Sequence, residues 1–172
     1  AFAEARDYWL KRIASLPPAP PLPVRRAPQA EPPARLSERL PREMHARLRE
    51  LAAAQGITPS NALLALFAEL LARWSGSQRF SLNVLSSSRP RQEAGAELVF
   101  GNFSDPVLLE VDASGADNFL ERARRIQRRL LTDLSQSAFS GIAVAGERNR
   151  RQGSLAKPFA PVAFSSILGI DH

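Results

Sequence analysis

Nine of the 14 prolines fall within residues 1–41, most of them in LPPAPPLPV (16–24) and AEPP (30–33). Proline fixes φ and lacks the amide hydrogen, so no helix can run through this stretch. It predicts an extended connector laid over a surface or between lobes. The chain divides there into a leading helix with its connector (residues 1–33) and a main lobe (residues 34–172). Ahead of the connector, AEARDYWLKRIAS (3–15) places Ala5, Trp9 and Ile13 at every fourth position, the spacing of a short helix. Behind it, ARLSERL (34–40) alternates loosely and predicts a short edge strand.

Helices and strands then alternate. Pro41 suits a first helical turn, Met44, Leu48 and Leu51 mark an apolar face, and Gly56 is a natural stop. Thr58 can cap a helix opened by Pro59. In that helix Leu63, Leu66, Phe67, Leu70, Leu71 and Trp74 recur at the 3/4 spacing and predict the buried face. RFSLNVLS (79–86) reads as a strand with Phe80, Leu82 and Val84 on one face, and Val107–Val111 as a second. Asp117 is placed to cap a long helix that buries Leu120, Ala123, Ile126, Leu130 and Leu134. A shorter helix starts near Ser140, and PVAFSSIL (161–168) predicts a buried strand. The class is α/β.

Composition narrows the chemistry. At 172 residues and 44% apolar content the chain fits one domain with its own core. It has no cysteine and only two histidines, His45 and His172. Disulfides, thiol nucleophiles and Cys-ligated zinc are excluded, and a histidine triad or multi-histidine metal site is very hard to build. No apolar run reaches the ~18 residues of a membrane span. Charges run through AFAEARDYWLKR, so no signal peptide is readable, and the chain reads as a piece of a longer one. A reducing cytosol suits the missing cysteine, and a cytoplasmic location is the expectation.

The net charge of +6 comes from 21 Arg and 2 Lys against 17 acids, which allows a polyanionic partner. Arg122, Arg124, Arg125, Arg128 and Arg129 share one helix. They read either as a solvated face or as a docking surface for an acidic or phosphorylated partner. Nucleic acid would call for interleaved aromatics or a recognisable module, and neither is present. Asp112 and Asp117 stand five apart, but one ends a strand and the other suits a cap, so a structural reading is favoured. Gly101-Asn102-Phe103-Ser104 can aim a hydroxyl and an amide into a cleft, or simply join a loop to a strand.

Four ordered segments resemble the second lobe of a heterocyclization domain of nonribosomal peptide synthetases, a subtype of the condensation family. YWLKRIASLPPAPPLP (8–23) is similar to the family's Tyr-Trp opening and its Leu-Pro-x-x-Pro-x-Leu-Pro segment. TPSNALLALFAELLARWS (58–75) is similar to the Thr-Pro helix ending in Leu-x-x-Trp. GNFSDPVLL (101–109) resembles Gly-Asp-Phe-Thr-x-Leu-x-Leu-Leu, and PVAFSSILG (161–169) resembles Pro-Val-Val-Phe-Thr-Ser-x-Leu.

The resemblance implies a chloramphenicol-acetyltransferase-like lobe, a mixed sheet packed by helices, forming half of a two-lobe domain. It implies that such a domain joins a carrier-bound acyl group to a carrier-bound Cys, Ser or Thr. The side chain then closes onto the new amide and water leaves, giving a thiazoline or oxazoline. The implied partners are an N-terminal lobe of the same domain, peptidyl or aryl carrier proteins bearing phosphopantetheine, and a neighbouring adenylation domain. No cofactor is implied on this lobe, and no metal, nucleic acid or membrane. By motif position, Ser104 takes the place of a catalytic Thr and Asp133 that of a catalytic Asp, with Ser135 as a second alignment. Asn102, Phe103, Ser165 and Ser166 are implied tunnel residues, and Arg124, Arg125 and Arg128 carrier-docking candidates. Asn102 stands for the usual Asp, Ser104 and Ser165 for Thr, and the segment after Asp133 lacks the usual acid-His-Arg run. These departures keep a second expectation open, a lobe that condenses without cyclising or serves only as a scaffold.

Overall fold

In the computed structural model, which describes residues 1–23, 34–87, 98, 100–101, 103–152 and 159–168, the element that organises the lobe is β1 (Arg79–Ser87). It pairs antiparallel with β2 (Ser104–Asp112) and parallel with the two-residue β3 (Ala163–Phe164), so the sheet is mixed, in the order β2-β1-β3. The described residues form five helices: α1 (Phe2–Arg12), α2 (Arg42–Ala54), α3 (Pro59–Ser75), α4 (Phe119–Ser135) and α5 (Gly141–Gln152). Phe80, Leu82 and Val84 alternate onto one face of β1, where they meet Leu64 and Ala65 of α3 and Ala123 of α4. The other side carries a second core, with Trp9 of α1, Leu108 of β2 and Val144 of α5. The α/β reading and the mixed sheet therefore hold.

The proline-rich connector begins as part of the sheet edge. Ser81 donates its amide to Pro18 O (2.8 Å) and its hydroxyl to Pro17 O (2.7 Å), while Asn83 donates its amide to Val162 O (2.9 Å). One edge of β1 is thus shared between two extended segments. Leu16 belongs to the α1 core and Leu22 packs on the α3 core, so residues 16–22 wrap from one layer to the other. With Trp9 1% exposed and its indole N–H on Gln136 O (3.1 Å), the leading helix is packed into the lobe.

Several sequence expectations are corrected. Residues 34–40 form no strand, and Leu36 is exposed; among the described residues no partner strand lies against this segment. The expected strand at 161–168 pairs only at Ala163–Phe164, and Ile167 and Leu168 are exposed. On α3 the buried face is Asn61, Ala62, Leu64, Ala65, Ala68, Leu71 and Ala72, whereas Leu66, Leu70 and Trp74 face outward. Small side chains admit close packing, and the sheet and α4 press on the alanine stripe. On α2 only Ala52 is buried, and Met44 and Leu51 are exposed.

Capping follows the sequence at one helix and shifts at another. Thr58 caps α3, its hydroxyl oxygen accepting the Asn61 amide (3.1 Å), and Gly76 closes that helix at φ 65°. The cap of α4 is Asn118 and not Asp117: Asn118 and Glu121 bond each other's amides reciprocally. Asp117 instead pairs with Arg125. Asn118→Ala is expected to cost about 1 kcal/mol, and thermal unfolding should show the loss, whereas Asp117→Asn should leave the cap intact.

Candidate functional site

Where β1 ends, its side chains and the start of α3 enclose a cavity of about 290 Å³. Val84, Leu85 and Ser86 line one wall, Leu64 and Asn61 another, and Leu130, Leu131 and Leu134 of α4 a third. Phe164 and Ser166 complete it from the β3 side. Ser166 shares a hydroxyl–hydroxyl hydrogen bond with Ser60 (2.8 Å). Gln127 braces the site by accepting the Thr58 amide (2.9 Å) and donating to Gly56 O (2.9 Å).

The implied site residues scatter around this cavity. Ser104 opens β2, is exposed, and lies opposite Ser87, one register step past the pair Asp105–Ser86. Directly opposed residues of an antiparallel pair project from the same face of the sheet. Asp105 therefore stands directly opposite Ser86, a cavity-lining residue, without itself lining the cavity. Burial pushes its carboxyl above the usual range. Sequence reasoning passed over Asp105; its place beside Ser104 at the head of an apolar strand was the available signal. Ser166 lines the cavity, Ser165 is exposed, Phe103 is half-buried, and Asn102 lies outside the described residues.

Asp133 is elsewhere. Its side chain is fully buried and is not part of the cavity lining. Its Oδ1 accepts from the Tyr8 hydroxyl (2.6 Å) and from Arg12, which also reaches Glu110 (3.2 Å). Arg79 holds the second oxygen of Glu110 (2.8 Å). Burial drives the Asp133 carboxyl up, against the pull of the Tyr8 hydroxyl and the Arg12 charge. The cluster ties α1 to α4 and β2. Ser135, the alternative alignment, is exposed and donates to Thr132 O (2.7 Å).

The docking arginines also divide. Arg124 donates to Gln55 O (3.1 Å) and to Gln55 Oε1 (2.9 Å), and Arg125 pairs with Asp117 and reaches Asp112 O (2.8 Å). Arg128 is exposed, and its guanidinium makes no hydrogen bond or ion pair among the described residues. Arg125→Glu should therefore cost about 1 kcal/mol through repulsion of Asp117, while Arg128→Glu should leave the melting temperature unchanged. Equal melting temperatures for both variants would contradict this division. Among the described residues no group of three or more His, Asp or Glu could hold a metal ion, and no single helix is long and apolar enough to cross a membrane.

The condensation-domain profile matches residues 1–148. Phenyloxazoline synthase MbtB of Mycobacterium tuberculosis is 38% identical over 169 residues, covering 96% of this chain and 12% of that protein. Pyochelin synthetase PchF of Pseudomonas aeruginosa is 38% identical over 177 residues, covering 98% of this chain and 9% of that protein. The chain thus spans a small fraction of the length of these relatives. Among solved structures it is similar to the EpoB cyclization-docking bidomain of Sorangium cellulosum, with TM-score 0.82 and 32% identity, over 98% of this chain and 34% of that one. It is also similar to the nonribosomal peptide synthetase FmoA3, with TM-score 0.85 and 37% identity, over 99% of this chain and 18% of that one.

Proposed function

We propose that this chain, which belongs to the condensation-domain family, forms the second lobe of a heterocyclization domain. Such a domain joins two carrier-bound substrates and closes the new amide onto a Cys, Ser or Thr side chain. The observation that carries this reading is similarity along almost the whole chain to a cyclization bidomain and to two synthetases, one of them named for an oxazoline. The chemistry has three steps that balance. The acceptor amine attacks the acyl thioester, forming the amide and releasing a carrier thiol. The side-chain oxygen or sulfur then adds to the amide carbonyl, leaving a ring with a hydroxyl. Finally the C–O bond breaks, the hydroxyl departs with a donated proton as water, and the ring nitrogen loses its hydrogen.

The last step needs one group that gives a proton and takes another. Asp105 is assigned to it: burial raises its carboxyl, and it pairs across the ladder with the cavity-lining Ser86, next in sequence to Ser104. Ser104 is assigned a hydrogen bond to the departing hydroxyl. Asp133, saturated at Oδ1 and closed to solvent, is assigned to positioning the α4 wall of the cavity. The partners are an N-terminal lobe, carrier proteins whose phosphopantetheine arms deliver both substrates, and an adenylation domain. Arg128 is the remaining carrier-docking candidate on α4. A lobe that condenses without cyclising is the second reading, favoured by Asn102 standing where the family has Asp and by the segment after Asp133 lacking the usual acid-His-Arg run.

The test uses the complete two-lobe domain with two loaded carriers and mass analysis of the released product. A ring product, lighter than the linear amide by one water, is expected; linear amide alone would transfer support to the second reading. The 172-residue chain by itself is expected to make neither, and any product above background would refute that.

A further inference from the structure

We infer that Arg148 of α5, resting on the ring of Phe159, is a binding site for a compact carboxylate, separate from the cavity at the end of β1. The inference does not depend on the proposed function.

Arg148 is only 8% exposed. Arginine does not give up its proton in a protein, so the buried group stays charged and needs a counter-charge. Arg12 meets the same need with Asp133 and Glu110. Arg148 has no hydrogen bond or ion pair among the described residues. The single acid of α5, Glu147, is taken by Arg150 and Arg151. Burial lowers the proton affinity of Arg148, and no charged neighbour opposes that. The guanidinium carbon lies 3.5 Å from the centroid of Phe159. Such a cation–π contact offsets only part of the cost of taking the charge out of water.

The three nitrogens show how a ligand would enter. Nε and Nη1 are enclosed and have no hydrogen-bond partner. Nη2 makes no hydrogen bond either but is not enclosed, so it is the nitrogen that keeps accessible surface. A guanidinium holds a carboxylate along an edge, through two parallel N–H groups. The two edges that present such a pair are Nε–Nη2 and Nη1–Nη2. Nη2 belongs to both, and in each its companion is unpaired. A carboxylate arriving at Nη2 can therefore set its second oxygen on one of the enclosed N–H groups. Phe159 covers one face of the plane, which favours approach along an edge. So little exposed surface admits a compact head, the size of acetate. Neutralising Arg148 should also hold α5 to the lobe, where Val144 packs with Trp9 and Leu108.

The probe is sodium acetate, titrated into the full 172-residue chain at matched ionic strength. Sodium chloride supplies charge without a planar pair of oxygens, and acetamide supplies the shape without the charge. The Arg148 Nε–H resonance should shift saturably with acetate, with an affinity roughly tenfold or more above that for chloride. The melting temperature should rise with acetate in parallel, since the ligand binds the folded state. Acetamide should do neither. Arg148→Lys keeps the charge but loses the fork, and should weaken the acetate response roughly tenfold. Arg148→Leu should leave the melting temperature indifferent to acetate. Should either variant fail to fold, the Nε–H titration of the unmodified chain decides alone. A shift that does not saturate, chloride matching acetate, or an acetate response that survives in Arg148→Leu would overturn the inference. The titration needs neither carriers nor chemistry, so its outcome is independent of whether the complete domain closes rings.

Discussion

Gly141→Ala is expected to be among the most damaging single substitutions in the lobe. A Cβ at this position would overlap the carbonyl oxygen of Pro106 and lie 2.8 Å from its carbon. Both atoms are backbone of β2, which is held by its ladder to β1 and has no rotamer to change. Either α5 lifts from the sheet, uncovering Val144 and the Trp9 core, or β2 bends. The expected loss is about 3 kcal/mol or more. Gly146→Ala in the same helix is the control: nothing lies within 4 Å of its added Cβ, and the better helix former should gain up to about 1 kcal/mol. Thermal unfolding of the pair checks this, and similar melting temperatures would contradict the close approach at Gly141.

Asp133→Ala should be comparably severe for a different reason. It strips Arg12, a guanidinium only 14% exposed, of one of its two carboxylate partners and leaves the Tyr8 hydroxyl without its acceptor. Breaking a buried pair from one side costs about 3–5 kcal/mol. Asp133→Asn keeps an oxygen for both donors and should cost much less. A pH dependence separates the two forms further. Burial holds the folded carboxyl above its unfolded range, so protonation favours the folded state. That contribution is complete below the unfolded pKa and is lost as pH rises through the folded one. Wild type should therefore gain stability relative to Asp133→Asn as the pH is lowered from neutral, read as the difference in urea midpoints. A difference that shrinks on acidification would reverse the sign assigned here.

These expectations also show what could be read before the fold was known. The α3 helix was legible because Thr58-Pro59 and a sustained 3/4 period are local signals, and its cap formed as expected. The face it buries was not legible. Size favours Leu66, Leu70 and Trp74 as core, whereas the depth of approach to α4 and the sheet selects Ala62, Ala65, Ala68 and Ala72. The strand expected at 34–40 failed because alternation supplies no partner, and pairing is a property of two segments. β3 is short for a related reason: β1 gives part of the same edge to Pro17 and Pro18.

The site divides the same way. Motif order named Ser104, which opens β2, and Ser166, which follows β3 and lines the cavity. It could not tell that Asp133 turns toward Tyr8, 125 positions away, while Asp105 sits across the ladder from a cavity wall. Those distinctions depend on register and on long-range hydrogen bonds, which no window of sequence contains. The arginines of α4 follow the same pattern: a charged helix face says nothing of whether Gln55 or Asp117 is waiting opposite it.

The most direct measurement of the central claim is the ratio of cyclised to linear product made by the complete two-lobe domain carrying Asp105→Asn. Asparagine preserves shape but neither gives nor takes a proton at neutral pH, so the ratio should fall by about 100-fold or more while linear amide continues to form. An unchanged ratio, or equal loss of both products, would contradict the placing of the dehydrating acid at the head of β2.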